Sequence, residues 1–198
     1  MLKYSKTISI LVVLVFVFAS SAFAFSQNKF EILGKEISGI KQNNKSALIA
    51  KVNGQEIYEA DIDKDIIRGK ILDSRISKKQ ALERKIRYLV VVQEAKEQNL
   101  VPSDETVHSF IEDLRKRISE DEVASREFAS YLKGIGLTEE EYFESHFEGY
   151  KEKLTYGNLM HKIRDKAEGS HEEKNLEFEV HVDTLVNNAE IEIVENLN

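Results

Sequence analysis

Asp61, Asp63 and Asp65 have the alternating spacing that opens a calcium-binding loop. Such a loop needs glycine at its sixth position for the sharp turn and a bidentate glutamate at its twelfth. Those positions hold Ile66 and Leu72. The three carboxylates therefore read as acidic residues gathered at the positive end of a helix dipole. Five histidines (His108, His146, His161, His171 and His181) raise the question of zinc. No two of them fall at the i, i+4 spacing that puts both imidazoles on one helix face, and the chain has no cysteine. His171-Glu172-Glu173 reads as a charged loop, and Glu139-Glu140-Glu141 as a solvated first helical turn. There is no G-x-S-x-G elbow, no Walker loop and no dinucleotide fingerprint. The expectation is a protein without metal, cofactor or catalytic motif.

What remains is aromatic. Tyr142, Phe143, Phe147, Tyr150 and Tyr156 follow one another at close intervals, with Phe128 and Tyr131 a little upstream. At helical spacing such a series reads first as core. The functional alternative is that some of these rings line an apolar groove for other proteins' chains, since large exposed apolar patches mark binding sites. These seven residues are the candidate binding set.

Composition narrows the setting for them. In 198 residues, 41% are apolar and 32% charged, a balance that permits one real core and argues against wholesale disorder. The absence of cysteine excludes disulfide frameworks, thiolate metal centres and thiol catalysis. One proline and nine glycines leave little for collagen-like or proline-rich architectures. A net charge of −7 argues against a nucleic-acid partner, because binding a phosphate backbone requires a basic surface.

The first 24 residues read as an address. Lys3 and Lys6 precede an apolar stretch from Ile10 to Ala19, and Ala22-Phe23-Ala24 supplies small residues three and one before a cut. A cleaved secretory signal is one reading. An uncleaved membrane anchor over residues 8–25 is the other. Both place the remainder outside the cytoplasm. That remainder carries 26 basic against 35 acidic residues, a net −9.

Elements able to position the aromatic set follow. Residues 25–46 are polar with scattered apolar positions and read as a linker or weakly ordered arm. Order is expected from Ala47. Leu48 to Val52 has strand composition, Asn53-Gly54 favours a type I′ turn, and Gln55 to Tyr58 can return as a second strand. A helix carrying Ile62, Ile66, Ile67 and Ile71 comes next, then one over Lys78 to Gln98 with a broad apolar face. Asn99 and Pro102 stop that helix, and Ser103 caps another bearing Val107, Phe110, Ile111, Leu114 and Ile118. A shorter helix ends at Gly134-Ile135-Gly136. Thr138 and Glu141 form a capping box opening a long helix to about Ala167. Glu168 to Asn175 reads as a polar break. The segment after it fits a strand or a helix equally, and Ala189 to Ile193 alternates as a short strand.

In this order the elements resemble the N-terminal chaperone module of SurA/PrsA-type extracytoplasmic folding factors. The resemblance rests on Ala47 to Ile57, Leu89 to Gln98 with Glu94-Ala95, Leu100 to Glu105, Tyr131 to Tyr142, and Asn188 to Ile193. It spans residues 47–194, with 195–198 as a tail. Tyr58 departs from it, standing where the family tends to place Ser or Thr before the first helix.

The resemblance implies a mainly α fold: a multi-helix module with a small β element made from the N-terminal hairpin and the C-terminal strand. It makes Phe178 to Asn187 helical and pairs Ala189 to Val194 with Leu48 to Val52. In that family a parvulin-type peptidyl-prolyl isomerase is often inserted before the last helix, yet eight polar residues, Glu168 to Asn175, cannot contain one. The implied function is an ATP-independent holdase for unfolded or newly exported polypeptides. The rival expectations are residual isomerase activity and a module dedicated to one envelope or cell-surface partner.

Overall fold

The computed structural model describes residues 26–42, 46–71 and 74–194. The expected leader (1–24) and the tail (195–198) lie outside the described residues. Among those described, eight helices and three short strands follow in chain order. They are α1 (Ser26–Gln42), β1 (Leu48–Val52), β2 (Gln55–Tyr58), α2 (Glu59–Ile71), α3 (Lys78–Glu97), α4 (Asp104–Glu120), α5 (Glu122–Ile135), α6 (Glu139–Ser145), α7 (Phe147–Lys166), α8 (His171–Asn188) and β3 (Ile191–Ile193). The fold is mainly α with a small antiparallel sheet of order β2-β1-β3.

The hairpin forms as its turn dictates. Asn53 and Gly54 both take positive φ, 49° and 78°, as a type I′ turn requires. β3 pairs antiparallel with β1, setting Ile191 opposite Val52 and Ile193 opposite Ala50. Asn53 ties the hairpin turn to the start of β3. Its backbone N–H donates to the Glu190 carbonyl at 2.8 Å, and its Oδ1 accepts from the Glu190 N–H at 2.9 Å.

Helix starts follow local chemistry. Ser77, Ser103, Asp121, Thr138 and Ser170 each cap the helix that follows, and Ser77, Thr138 and Ser170 complete capping boxes. Tyr58 cannot cap α2 with its side chain. Two other residues satisfy the orphan donors: Asp61 accepts from the Tyr58 N–H at 2.9 Å, and Ser46 Oγ accepts from the Ala60 N–H at 2.6 Å. A hydroxyl from fourteen residues upstream thus takes the place of the missing N-cap.

Three expectations are corrected. The stretch expected to be a linker over 25–46 is helical across Ser26–Gln42, with Phe30, Leu33 and Ile37 buried. Spaced i, i+3 and i+7, these three form one face, and it is covered by another helix. The long helix expected from Thr138 to Ala167 is divided at His146, whose φ of −108° and ψ of 7° depart from helical values. Its ring Nδ1 lies 2.8 Å from the Tyr142 carbonyl and the ring stacks on Tyr142 at 4.3 Å. The polar break is shorter than expected, because Ser170 and Glu173 start α8 inside it.

The larger apolar core joins the sheet to α2, α3, the C-terminal half of α7 and α8, around Ile49, Val52, Ile57, Ile62, Leu89, Val91 and Leu159. A second core joins α4, α5, α6 and the start of α7. Because α7 contributes to both, it is the common beam. α1 closes the circuit on the other side, lying against α5 and α2. The helices therefore run in a ring: α1 touches α2, α2 touches α3, α3 touches α7, α7 touches α4, α4 touches α5, and α5 returns to α1.

Candidate client-binding surface

The seven candidate rings divide by burial. Phe128, Tyr142, Phe143 and Tyr150 are 3%, 6%, 4% and 4% exposed and form the second core itself. Phe128 meets Tyr142 edge-on at 5.3 Å and Phe143 stacks with Tyr150 at 6.0 Å. Assigning these four to a client surface is therefore corrected: apolar neighbours already occupy their faces. Helical spacing alone selects both a core stripe and a groove, and here it selected the core.

Tyr131, Phe147 and Tyr156 are half-buried and sit at the margins of the cores. Phe147 lies under His108, ring centroids 4.7 Å apart. Tyr156 stacks on Tyr88 at 5.4 Å and meets Phe178 edge-on at 5.8 Å, tying α3, α7 and α8 together. Tyr131 packs beside the buried face of α1, where Ile67 of α2 also arrives.

Around Tyr131 the ring of helices gathers phenols and cations. Burial pushes the Tyr131 hydroxyl up to about 12 and also raises Tyr142 and Tyr150, so all three stay protonated donors at neutral pH. Arg68 of α2 lies close enough to act against that rise in Tyr131 and Tyr142. Lys153 of α7 is solvent-exposed, with its ammonium 5.3 Å from the Tyr150 ring centroid. Surrounding protein nonetheless holds it below the usual lysine value, and Arg68 adds to that.

The Asp61, Asp63 and Asp65 set does not converge. Asp61 caps α2, Asp65 pairs with Arg68 at 3.0 Å, and desolvation raises the Asp63 carboxyl with Glu59 adding to the effect. Among the described residues no three His, Asp or Glu side chains are grouped to hold a metal ion. A hollow of about 320 Å³ between the end of α3 and the first turns of α7 is lined largely by charged side chains, including Lys96, Glu148 and Glu152.

Exposed apolar surface lies elsewhere. Leu176 and Val180, one turn apart on α8, are 64% and 52% exposed, while Phe178 and Val182 on the same helix are buried. Ile193 and Val194 at the C-terminal strand are 53% and 51% exposed. Sequence reasoning placed Leu176 and Val180 in an ambiguous strand-or-helix segment and offered none of them as binding residues. The missed signal was their offset: on a helix they fall outside the stripe of Phe178, Val182 and Leu185.

Comparison with known proteins agrees with this architecture. Residues 1–153 match the SurA-like N-terminal domain family. The chain belongs to that family. No isomerase domain accompanies the match. No curated protein and no solved structure matches the chain. Among the described residues, no helix is long and apolar enough to cross a membrane.

Proposed function

We propose that this SurA-like domain is an ATP-independent holdase that acts outside the cytoplasm on unfolded or newly exported polypeptides. The observation that carries the reading is the apolar side chains left in water on α8 and β3, in the segment that follows the residues 1–153 matched to a chaperone-like family. Leu176, Val180, Ile193 and Val194 offer weak, non-directional contacts suited to many sequences. The acidic balance of −7 keeps a loaded complex dispersed. Binding of this kind stabilises the unfolded client by mass action and needs no nucleotide.

Support for export comes from the leader pattern in residues 1–24 together with the family. The test of function is aggregation of several chemically denatured clients, followed by light scattering with equimolar protein and no ATP. Suppression across unrelated clients is expected, and unaltered aggregation of all of them sinks the reading. Residual isomerase activity is checked in the same preparation with a proline-containing peptide, for which rates at the buffer level are expected. Cell fractionation checks the compartment, with recovery in the cytoplasmic fraction as the adverse result.

A further inference from the structure

Among the described residues β3 is the last strand of its sheet, and it is unfinished in two respects. The first is its backbone. Val194 donates its N–H to the Ile49 carbonyl at 2.9 Å, and the Glu190 carbonyl accepts from Asn53. Backbone groups alternate in direction along a strand, so Glu192 faces β1, while the N–H and C=O groups of Ile191 and Ile193 point away from the sheet. The second is its apolar face. Directly paired residues share a face, so Ile191 and Ile193 continue the surface of Val52 and Ala50. Val52 and Ala50 are fully buried, whereas Ile191 and Ile193 are 36% and 53% exposed. The apolar face runs past its helical cover and ends in water beside donors and acceptors that have no partner among the described residues.

Only an extended backbone matches that pattern of donors and acceptors. Charge selects which one. Glu190 and Glu192 are exposed at this edge and project to the face opposite Ile191 and Ile193. When two copies pair antiparallel about Ile191 or about Glu192, glutamates of the two strands fall directly opposite one another, which is repulsive. Pairing about Ile193 avoids this only by leaving just Glu192 to Val194 overlapped among the described residues. A strand alternating apolar with basic residues instead puts apolar side chains over the isoleucines and cations beside the glutamates.

We propose that β3 captures polypeptide segments by strand addition, preferring extended segments in which apolar residues alternate with lysine or arginine. This rests on the holdase reading and names the client class of that same surface.

The probe is a fluorescent peptide alternating valine and lysine, compared with one alternating valine and glutamate, titrated into the full chain by anisotropy. The lysine peptide is expected to bind about tenfold tighter, and to protect the Ile191 and Ile193 amides from hydrogen exchange. Ile193→Pro removes one outward N–H while leaving the β1 ladder intact, and is expected to weaken the lysine peptide about tenfold. Glu190→Lys with Glu192→Lys, which leaves the backbone unaltered, is expected to reverse the peptide preference. Equal binding by the Pro variant, or no protection of the two amides, overturns the proposal. Protection that grows with protein concentration and without peptide assigns the edge to a second copy and overturns it as well. Wild-type suppression of client aggregation separates the outcomes. If it persists while the peptide results fail, strand capture falls and the holdase reading stands. If it is absent while the peptide binds as described, the holdase reading falls alone.

Discussion

Gly34 of α1 and Gly134 of α5 face each other where the two helices cross, and neither position has room for a side chain. A Cβ on Gly34 would stand 2.5 Å from the Tyr131 carbonyl oxygen and 2.8 Å from the Gly134 Cα. A Cβ on Gly134 would meet the Gly34 Cα at 2.9 Å and overlap the Glu31 carbonyl. These obstacles are backbone, which cannot rotate aside. The close crossing lets Phe30, Leu33 and Ile37 cover Tyr131 and Ile67, and so closes the ring of helices.

Alanine at either glycine should therefore destabilise the protein. Overpacking costs about 1–3 kcal/mol, which outweighs the gain of about 1 kcal/mol that alanine brings to a helix interior. Gly39 lies on the same helix, exposed, with nothing within 4 Å of its Cβ position. Gly39→Ala should stabilise by up to about 1 kcal/mol. Urea unfolding of the three variants measures the contrast, and equal behaviour of Gly34→Ala and Gly39→Ala would refute a tight crossing.

Glu31 anchors the same crossing electrostatically. It accepts from Lys35 at 2.7 Å and from Lys133 of α5 at 2.9 Å, which together hold its carboxyl at about 2. A carboxylate depressed on folding contributes fully above its ordinary value near 4.5 and loses that contribution as pH falls toward 2. The stability difference between wild type and Glu31→Gln should therefore be constant above about pH 5, shrink below it, and vanish near pH 2. Chemical denaturation across that range provides the measurement. A difference that does not change with pH would mean the ion pairs contribute nothing.

α8 is held to α3 by a second charged pair. Arg87 donates to Asp183 at 2.5 Å and to Glu179 at 2.8 Å, two carboxylates one turn apart. The partners are more than half exposed, so solvent screens the interaction and Arg87→Ala should cost only about 1 kcal/mol or less. Its signature is salt: the difference from wild type should fall as ionic strength rises from 0.05 to about 1 M. Hydrogen exchange should quicken first in the middle of α8, around Glu179 and Asp183. Exchange rates unchanged there would assign the hold on α8 to its apolar residues, Phe178, Val182, Leu185 and Val186.

Where local chemistry decides, the sequence was readable. Asn53-Gly54, Ser103, Thr138 with Glu141, and Gly136 each specify their own backbone, and each stands where its residue type requires. α1 was not readable in the same way, because Phe30, Leu33 and Ile37 are spaced among polar residues and glycines. Only the distant Gly134 shows that Gly34 marks a crossing rather than a flexible arm. Pairing of β3 with β1 came from the family resemblance rather than from periodicity. The binding set was misread in part for a general reason. Apolar spacing fixes which residues share a face, but not whether another element covers that face.

That distinction separates the aromatic core from the exposed aliphatic surface by experiment. Phe143 touches Phe128, Tyr142 and Tyr150, and Arg115 lies 5.3 Å from its ring centroid. Phe143→Ala should cost about 3–5 kcal/mol, much of the stability of a small domain, and any loss of client binding should follow unfolding. Leu176→Ser with Val180→Ser removes two side chains that are mostly in water, so stability should stay within about 0.5 kcal/mol of wild type. Protection of denatured clients by that double variant should nevertheless weaken severalfold, measured by light scattering at a temperature where circular dichroism shows both proteins fully folded. Full protection by the double variant would remove α8 from the client surface. Phe143→Ala that stays folded but loses clients would return the rings of the second core to it.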